Sequence, residues 1–525
     1  MSETNLLTEP ASIEQNIKQF LLVLSVSLSV ATLPQFFSWF RQIPYTLLLV
    51  IVGLGLAFID VRLVNLSPQL ILIIFLPPLL FEAAWNIEWT KLKQDLVPIS
   101  LYAIFGVVIS VVGVGFALNQ FAGISLAIAL LFGACVSATD PVSVIALFRE
   151  LGVEKRLSII MEGESLFNDG IAVVAYSFLV GFALNTDTLE IQGILSQFIT
   201  VVGIGIGFGC LVGFGISYLT QRFDLPLVEQ SLTLVSAYGT YIITEDLGGS
   251  GVIGVVITGV ILGNFGSRIG MQPSTRLAVT QFWDFLSFFV NSIVFLLIGD
   301  QIRYADLKAN LGLIAITIIA TIVTRAIAIY GLGWLSNILV KSKISLSDQT
   351  VLWWGGLRGS VSIALALSVP VILPERTAII ATVFGVVLFT LLVQGLTTKP
   401  LLQRIKPLGD QLVRQQYLEA IARWVALNRV LNHLTQANTR PEIDPEFYRY
   451  QKVLVEGQLN DLQQDLNQLR NQHPQLRDFA VEQLQEELLA IEADTYAEFF
   501  RGGRLSNKIS PVLQEVFAKM NENIE

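Results

Sequence analysis

The sequence predicts an all-α polytopic membrane protein of about thirteen transmembrane helices, two of them broken, followed by a soluble helical tail. Of its 525 residues, 53% are hydrophobic and only 14% are charged, whereas soluble proteins average about 25% charged residues. Apolar runs long enough to cross about 30 Å of hydrocarbon recur through most of the chain. Two of these runs contain polar, glycine-rich interruptions, which indicate broken helices.

The apolar runs divide the chain into an extramembrane segment (1–16), a transmembrane domain (17–400) and a helical tail (401–525). The first segment is acidic rather than basic, so it does not resemble a secretory signal, and the run after it is expected to be a retained helix. The predicted spans lie near 17–35, 44–61, 68–86, 96–119, 122–148, 157–183, 193–219, 227–245, 251–265, 275–299, 309–340, 348–371 and 376–399.

Lysine and arginine are distributed unequally between the two sets of predicted loops, which orients a membrane protein. One set of alternate loops, beginning after the first span, holds eleven of these residues and the other set holds four. The bias predicts an extracellular N-terminus and a cytoplasmic C-terminus. The expected location of the protein is the cell membrane. In the tail, apolar residues alternate spacings of four and three, which fits a short coiled coil or helical hairpin and equally an ordinary amphipathic helix. These residues are Val455, Leu459, Leu462, Leu466 and Leu469.

Cysteine and histidine give no sign of a metal or cofactor site. Cys135 and Cys210 fall in separate apolar spans, and His433 and His473 lie beyond the membrane region. We therefore expect no disulfide framework, no metal–thiolate site and no cofactor. Nothing in the sequence indicates an enzyme or a nucleic-acid partner.

The two interruptions fall at corresponding places in the two halves of the predicted domain. The fifth span contains GACVSATDPVS, in which Asp140 precedes a proline as an N-cap residue precedes the first turn of a helix. The twelfth contains WWGGLRGSVS, with Arg358 among three glycines. Broken helices in matching positions are typical of secondary transporters built from inverted repeats.

Six ionisable residues near the middle of the predicted spans leave an excess of two negative charges. They are Glu82, Asp140, Glu164, Asp169, Arg325 and Arg358. Buried charges must be paired, protonated or satisfied by an ion. The excess therefore predicts a site for a cation or a proton.

A division of roles among these residues follows as a hypothesis. Glu164 pairs with Arg325 as a structural brace, while Asp140 and Arg358 compensate the partial charges at the ends of the half-helices.

Asp169 is then left free to bind an ion, with Ser165, four residues earlier on the same helical stripe, and Glu82 contributing oxygens. An oxygen shell suits a hard cation, and desolvation favours the protonated carboxyl, so a cation and a proton would compete for Asp169.

Three further polar residues are expected to have a structural role or to be exposed to solvent. Asp284 and Asn291 are expected to form hydrogen bonds between packed helices. Glu162 lies near a span end and is expected to be solvated. Glu82 also lies near a span end, so contact with water and a part in the ion site are equally consistent with its position.

The motifs LLFEAAW, SATDPVSV, GESLFNDG, TRAIAIY and GGLRGSVSIALALS closely resemble those of monovalent cation–proton antiporters of the Na⁺/H⁺ exchanger and NhaP type. The similarity runs through residues 20–400 in the family's order. It implies an NhaA-like inverted-repeat fold of thirteen helices with core and dimer domains, a homodimer, and exchange of Na⁺ or Li⁺ for H⁺ by an elevator-like or rocking movement.

The resemblance also assigns roles to residues at matching positions. Asp169 would bind the ion and the proton, and Asn168 replaces the second aspartate of electrogenic relatives, which implies electroneutral exchange. Thr139, through its carbonyl, Ser165 and Glu82 would complete the Na⁺ ligands. The same resemblance makes Glu164 and Arg325 a stabilising ion pair.

Three alternatives remain open at the level of sequence. K⁺/H⁺ exchange on the same scaffold is the nearest, because side-chain types do not fix the size of an ion site. A cation channel would leave the two charged interruptions unexplained. An intramembrane aspartyl protease needs two facing aspartates, and Asp300 falls at a span end without a plausible partner.

Overall fold

In the computed structural model, the chain is helical at every predicted span. The structure describes residues 9–36, 43–58, 63, 67–151, 153, 155–184, 191–220, 225–271, 273–340, 343–405, 409–437 and 445–473, with isolated positions between 476 and 512. Residues 1–8 of the predicted extramembrane segment and most of the tail after residue 473 lie outside this description. Contacts divide the chain into two compact units, Met1–Leu402 and Gln403–Glu525.

The first unit contains eighteen described α-helices. In chain order they are α1 (Glu9–Phe36), α2 (Tyr45–Phe58), α3 (Leu76–Asn86), α4 (Trp89–Gln94), α5 (Leu96–Ala122), α6 (Leu126–Cys135), α7 (Val142–Leu151), α8 (Lys155–Ala183), α9 (Ile191–Thr220), α10 (Pro226–Asp246), α11 (Gly251–Ile261), α12 (Pro273–Asp300), α13 (Tyr304–Ala309), α14 (Leu311–Leu339), α15 (Leu346–Trp354), α16 (Ser360–Ser368), α17 (Arg376–Phe389) and α18 (Gly395–Ile405). Three π-helical segments, Leu70–Phe75, Leu262–Gly270 and Thr390–Gln394, adjoin α3, α11 and α17.

Six of the described helices are individually long and apolar enough to cross a bilayer. They are Leu96–Ala122, Lys155–Ala183, Leu195–Thr220, Thr275–Asp300, Leu311–Leu339 and Arg376–Ile405. Together with the shorter apolar helices they make an all-helical integral membrane domain, as predicted. The number of thirteen spans and the inverted repeat stay predictions.

Both predicted interruptions are present. The fifth span is divided into α6 and α7 by residues 136–141, and the twelfth into α15 and α16 by residues 355–359. Local sequence explains where the helices stop and restart. Ser345 caps α15 by accepting a hydrogen bond from the backbone N–H of Asp348, and Gly359 precedes α16.

The contacts sort the helices of the first unit into two groups. A core group consists of α5, α6, α8 and α14–α17, and a scaffold group consists of α1, α2, α3 and α9–α12. Helix α7 contacts both α2 and α8 and is counted with the core because it continues the broken span of α6. Glycines allow close approach within the scaffold group, because a Cβ atom at Gly53 of α2 or Gly299 of α12 would collide with the backbone of the other helix. Both broken helices belong to the core group.

The tail unit contains a pair of packed helices, α19 (Gly409–Ala437) and α20 (Pro445–Gln472). Tyr417 of α19 and Leu466 of α20 are buried in its small apolar core. Arg470 donates a hydrogen bond to the Tyr417 hydroxyl at 2.8 Å. The predicted apolar seam of α20 therefore takes part in a pair of helices within one chain.

Candidate functional site

A cavity of about 500 Å³ lies between the core and scaffold groups. Its walls come from α3 and α12 of the scaffold and from α7, α8, α16 and the first interruption of the core. Its buried end is lined by Thr139, Ser165 and Asp169, and its exposed end by Arg149 and Asp284. The cavity thus connects solvent with the middle of α8.

The two interruptions cross each other beside this cavity. The backbone N–H of Asp140 donates to the carbonyl of Leu357 at 2.8 Å. The Asp140 carboxylate accepts hydrogen bonds from the backbone N–H groups of Val142 and Ser360, at the starts of α7 and α16. One carboxylate therefore faces the positive ends of two half-helices, where an anion is favoured.

Arg358 lies on the opposite side of the crossing and is only 1% exposed. Its Nη1 donates to the carbonyls of Ser137 and Ala138, at 2.6 and 2.9 Å, just beyond the negative end of α6. Its backbone N–H donates to the hydroxyl of Thr390 in a π-helical segment. The side chain thus satisfies carbonyl groups that the interruption leaves without helical partners.

Glu164 of α8 and Arg325 of α14 form a buried bidentate pair, with N–O distances of 2.9 and 3.2 Å. The same guanidinium donates to the carbonyls of Leu352 and Trp353 at the end of α15. Arg325 therefore links α8, α14 and a half-helix through one planar group. Neither member of the pair lines the 500 Å³ cavity.

Asn168 holds Thr139 in place. Its Oδ1 accepts from the Thr139 backbone N–H at 3.2 Å, and its Nδ2 donates to the Thr139 hydroxyl at 2.6 Å. The Ser165 hydroxyl donates to the Thr139 carbonyl at 2.5 Å. Thr139 and Ser165 line the 500 Å³ cavity, whereas Asn168 is not among its described lining residues.

Asp169 differs from Glu164 and Asp140, whose carboxylates are hydrogen-bonded. It is 9% exposed, it lines the cavity, and its Oδ1 has no hydrogen-bond partner among the described residues. Glu82 lines the same cavity and is half-buried, with Oε1 accepting from Asn86 at 2.6 Å. The cavity therefore brings together carboxylate, hydroxyl and carbonyl oxygens, the ligands that hard cations such as Na⁺ take.

Helix α12 contributes more of the cavity wall than the sequence indicated. Asp284, Ser287 and Asn291 all line the cavity, although packing between helices was expected for the first and the last. Their spacing of three and four residues places them on one helical face, so the sequence already indicated a shared polar surface on this helix. Glu162 also lines the cavity, with a side chain that is 23% exposed.

Comparison with known proteins agrees with this architecture. Residues 24–404 match the transmembrane sodium/hydrogen exchanger family. The chain is 65% identical to the Na(+)/H(+) antiporter ApNhaP of Aphanothece halophytica, over 97% of this chain and 98% of that protein. It is 57% identical to the low-affinity Na(+)/H(+) antiporter NhaS1 of a Synechocystis species, over 96% and 97% of the two chains.

A solved structure supports the fold independently. The sodium proton antiporter MjNhaP1 of Methanocaldococcus jannaschii aligns with a TM-score of 0.59 at 22% identity, over 73% of this chain and 99% of that chain. At this identity the likeness concerns the fold alone. The fold, the two crossed interruptions and the match over residues 24–404 lead to one conclusion: the chain belongs to the sodium/hydrogen exchanger family.

Proposed function

We propose that this protein exchanges Na⁺ or Li⁺ for H⁺ across the cell membrane by competition of the two ions for Asp169. The observation that carries the proposal is the Asp169 carboxyl, whose Oδ1 is buried and unpartnered among the described residues while it lines the cavity. Glu164 and Asp140 are already engaged, by a guanidinium and by two helix ends. The two relatives named above are Na(+)/H(+) antiporters, which supports Na⁺ and H⁺ as the exchanged ions.

The residues proposed as ion ligands all line the cavity. Asp169 supplies the charge, and Ser165, the Thr139 carbonyl and Glu82 supply further oxygens. Asn168 acts as a positioning residue through its two hydrogen bonds to Thr139. The exchange is proposed to be electroneutral, because one bound monovalent cation replaces the one proton of Asp169.

Alternating access is assigned to movement of the core group against the scaffold group. The cavity lies on the boundary between them, and both helix breaks move with the core. Because Asp140 and Arg358 neutralise the ends of the half-helices inside the core, the residues that the core contributes to the site travel as one unit. The cavity's exposed end is assigned to the cytoplasmic side, with the N-terminus outside and the C-terminus inside.

A homodimer is proposed as the assembly, with α9 at the contact. Gly203, Gly207 and Gly215 of this helix leave open space on its exposed face. Small residues on a lipid-facing surface permit close helix approach. Cysteine cross-linking through Gly207→Cys, in a background lacking Cys135 and Cys210, tests the contact, and a purely monomeric product contradicts it.

The function is tested in everted membrane vesicles carrying a pH gradient. Addition of Na⁺ or Li⁺ is expected to collapse the gradient with the wild-type protein. Collapse by K⁺ but not by Na⁺ would replace the proposal by K⁺/H⁺ exchange. Current without proton movement would indicate a channel.

The role of the carboxylate is tested by Asp169→Asn, with Asp246→Asn as the matched control. Asp246 is exposed at the end of α10 and is not among the cavity's lining residues. The first variant is expected to fold and to lose exchange completely, whereas the second should exchange like the wild type. Retained exchange in Asp169→Asn would remove this residue from the mechanism.

A further inference from the structure

The exposed end of the cavity carries an ion pair that the transport site does not use. Nη2 of Arg149 on α7 lies 3.9 Å from Oε1 of Glu162 on α8. The Arg149 side chain is 73% exposed and the Glu162 side chain 23%. At this distance and exposure the pair holds the two helices together only weakly.

Four charged groups from four helices face one another here. Glu82 of α3, Glu162 of α8 and Asp284 of α12 are acidic, and Arg149 of α7 is basic, and all four line the cavity. Arg149 interacts electrostatically with Glu82 and with Glu162, and Glu82 with Asp284. The cavity that leads from solvent to Asp169 is therefore lined by all four charges.

A basic residue among these acids has the opposite effect on the local cation concentration. Three carboxylates on the walls of a narrow opening concentrate cations, and a nearby guanidinium lowers that concentration. Arg149 is also unnecessary for the architecture of the crossing, which Asp140 and Arg358 complete without it.

We propose that Arg149 and Glu162 form an electrostatic gate that sets the apparent affinity for the transported cation at the cavity mouth. Arg149 lowers the local cation concentration and Glu162 raises it. Neither residue touches the ion at Asp169, so both act on the approach and not on the turnover. This inference rests on the proposed exchange function.

The two residues therefore have opposite effects on the Michaelis constant for Na⁺. An exposed charge at this range changes the local cation concentration about two- to fivefold at low ionic strength. Arg149→Gln is expected to lower the KM for Na⁺ by this factor, and Glu162→Gln to raise it. The maximal rate should stay the same in both variants.

The experiment measures Na⁺-dependent collapse of a pH gradient in everted vesicles at alkaline pH, where few protons compete. Lys93→Gln is the matched control, because Lys93 is an exposed cation on α4 that is not among the cavity's lining residues. Arg149→Lys retains the charge and should keep the wild-type KM. Raising ionic strength with choline chloride should reduce the differences among all variants.

The outcomes separate this inference from the function on which it rests. Absence of Na⁺-dependent exchange in the wild type defeats the proposed function. With an active wild type, equal KM values for Arg149→Gln and the wild type overturn the gate. A shift of the KM for Na⁺ in the same direction in Arg149→Gln and Glu162→Gln also overturns it. Loss of a purely structural ion pair would change the KM in the same direction whichever partner is neutralised.

Discussion

Replacing Glu164 should destabilise the protein, and this loss of stability should not depend on the transported ion. Glu164 and Arg325 have side-chain exposures of 3% and 9%, and their bidentate contact lies away from the cavity. Glu164→Ala leaves a buried guanidinium without its counter-charge. Breaking a buried pair in this way costs about 3–5 kcal/mol.

The structure favours the lower end of that range. Arg325 keeps its hydrogen bonds to the carbonyls of Leu352 and Trp353 in the variant. We therefore expect a loss of about 3 kcal/mol in the free energy of unfolding. At about 2 °C for each kcal/mol, the melting midpoint of the detergent-solubilised protein should fall by about 6 °C.

The assay is thermal melting followed by size-exclusion chromatography, with Glu162→Ala as the control on the same helix. That residue contacts an exposed arginine at 3.9 Å, so its removal should cost less than about 1 kcal/mol. The double variant Glu164→Leu with Arg325→Met removes both buried charges and should regain most of the lost stability. If the melting midpoint of Glu164→Ala equals the midpoints of Glu162→Ala and the wild type, the ion pair of Glu164 and Arg325 is not a structural brace.

Three other substitutions test the geometry around the first interruption. Asn168→Ala removes two hydrogen bonds to Thr139, each worth about 1 kcal/mol, and should raise the KM for Na⁺ by up to about thirtyfold in the vesicle assay. Ser165→Ala removes a proposed ligand and should also raise that KM about tenfold. Gly359→Ala places a methyl group against the carboxylate of Asp140, so it should lower the melting midpoint, with a cost of about 1–3 kcal/mol for overpacking.

Each of these variants has a contradicting result, and the glycine variant also has a matched control. Gly106→Ala is the control for Gly359→Ala, since a Cβ atom at Gly106 meets no atom within 4 Å. Equal melting of the two glycine variants would contradict the close crossing. Unchanged KM values in Asn168→Ala or Ser165→Ala would remove the corresponding residue from the ion site.

Much of the architecture is encoded locally and was therefore predictable. Span length, the Asp140–Pro141 pair and the glycines around Arg358 specify helices and their breaks within a few residues. Membership of the antiporter family is confirmed by the match over residues 24–404, and the all-helical fold by the structure and its solved neighbour. Apolar length and helix-breaking residues act over one or two turns, which sequence patterns report directly.

The cavity's far wall was not predictable in the same way. Asp284 and Asn291 join the site because α12 of the scaffold packs opposite the core, and that pairing depends on contacts distant in sequence. The dual role of Arg325, as partner of Glu164 and cap of α15, likewise needs three helices in place. The π-helical segments and the short helices α4 and α13 had no counterpart among the predicted elements.

Asn168 illustrates the limit of reasoning from neighbouring positions. It adjoins Asp169 in the sequence, yet its side chain binds Thr139 while Asp169 lines the cavity. Successive residues of a helix point about 100° apart, so neighbours in a motif face different surroundings. The motif indicates a site, and the packing of the helices decides which member faces it.

The most direct test of a single carboxylate shared by two ions is equilibrium binding of radioactive Na⁺ to the purified protein across a range of pH, with proton release followed in weak buffer. The account predicts that the apparent Kd rises about tenfold for each unit of decreasing pH once protons occupy the site, with one proton released for each ion bound. An affinity for Na⁺ that does not change with pH, or binding without proton release, would contradict it.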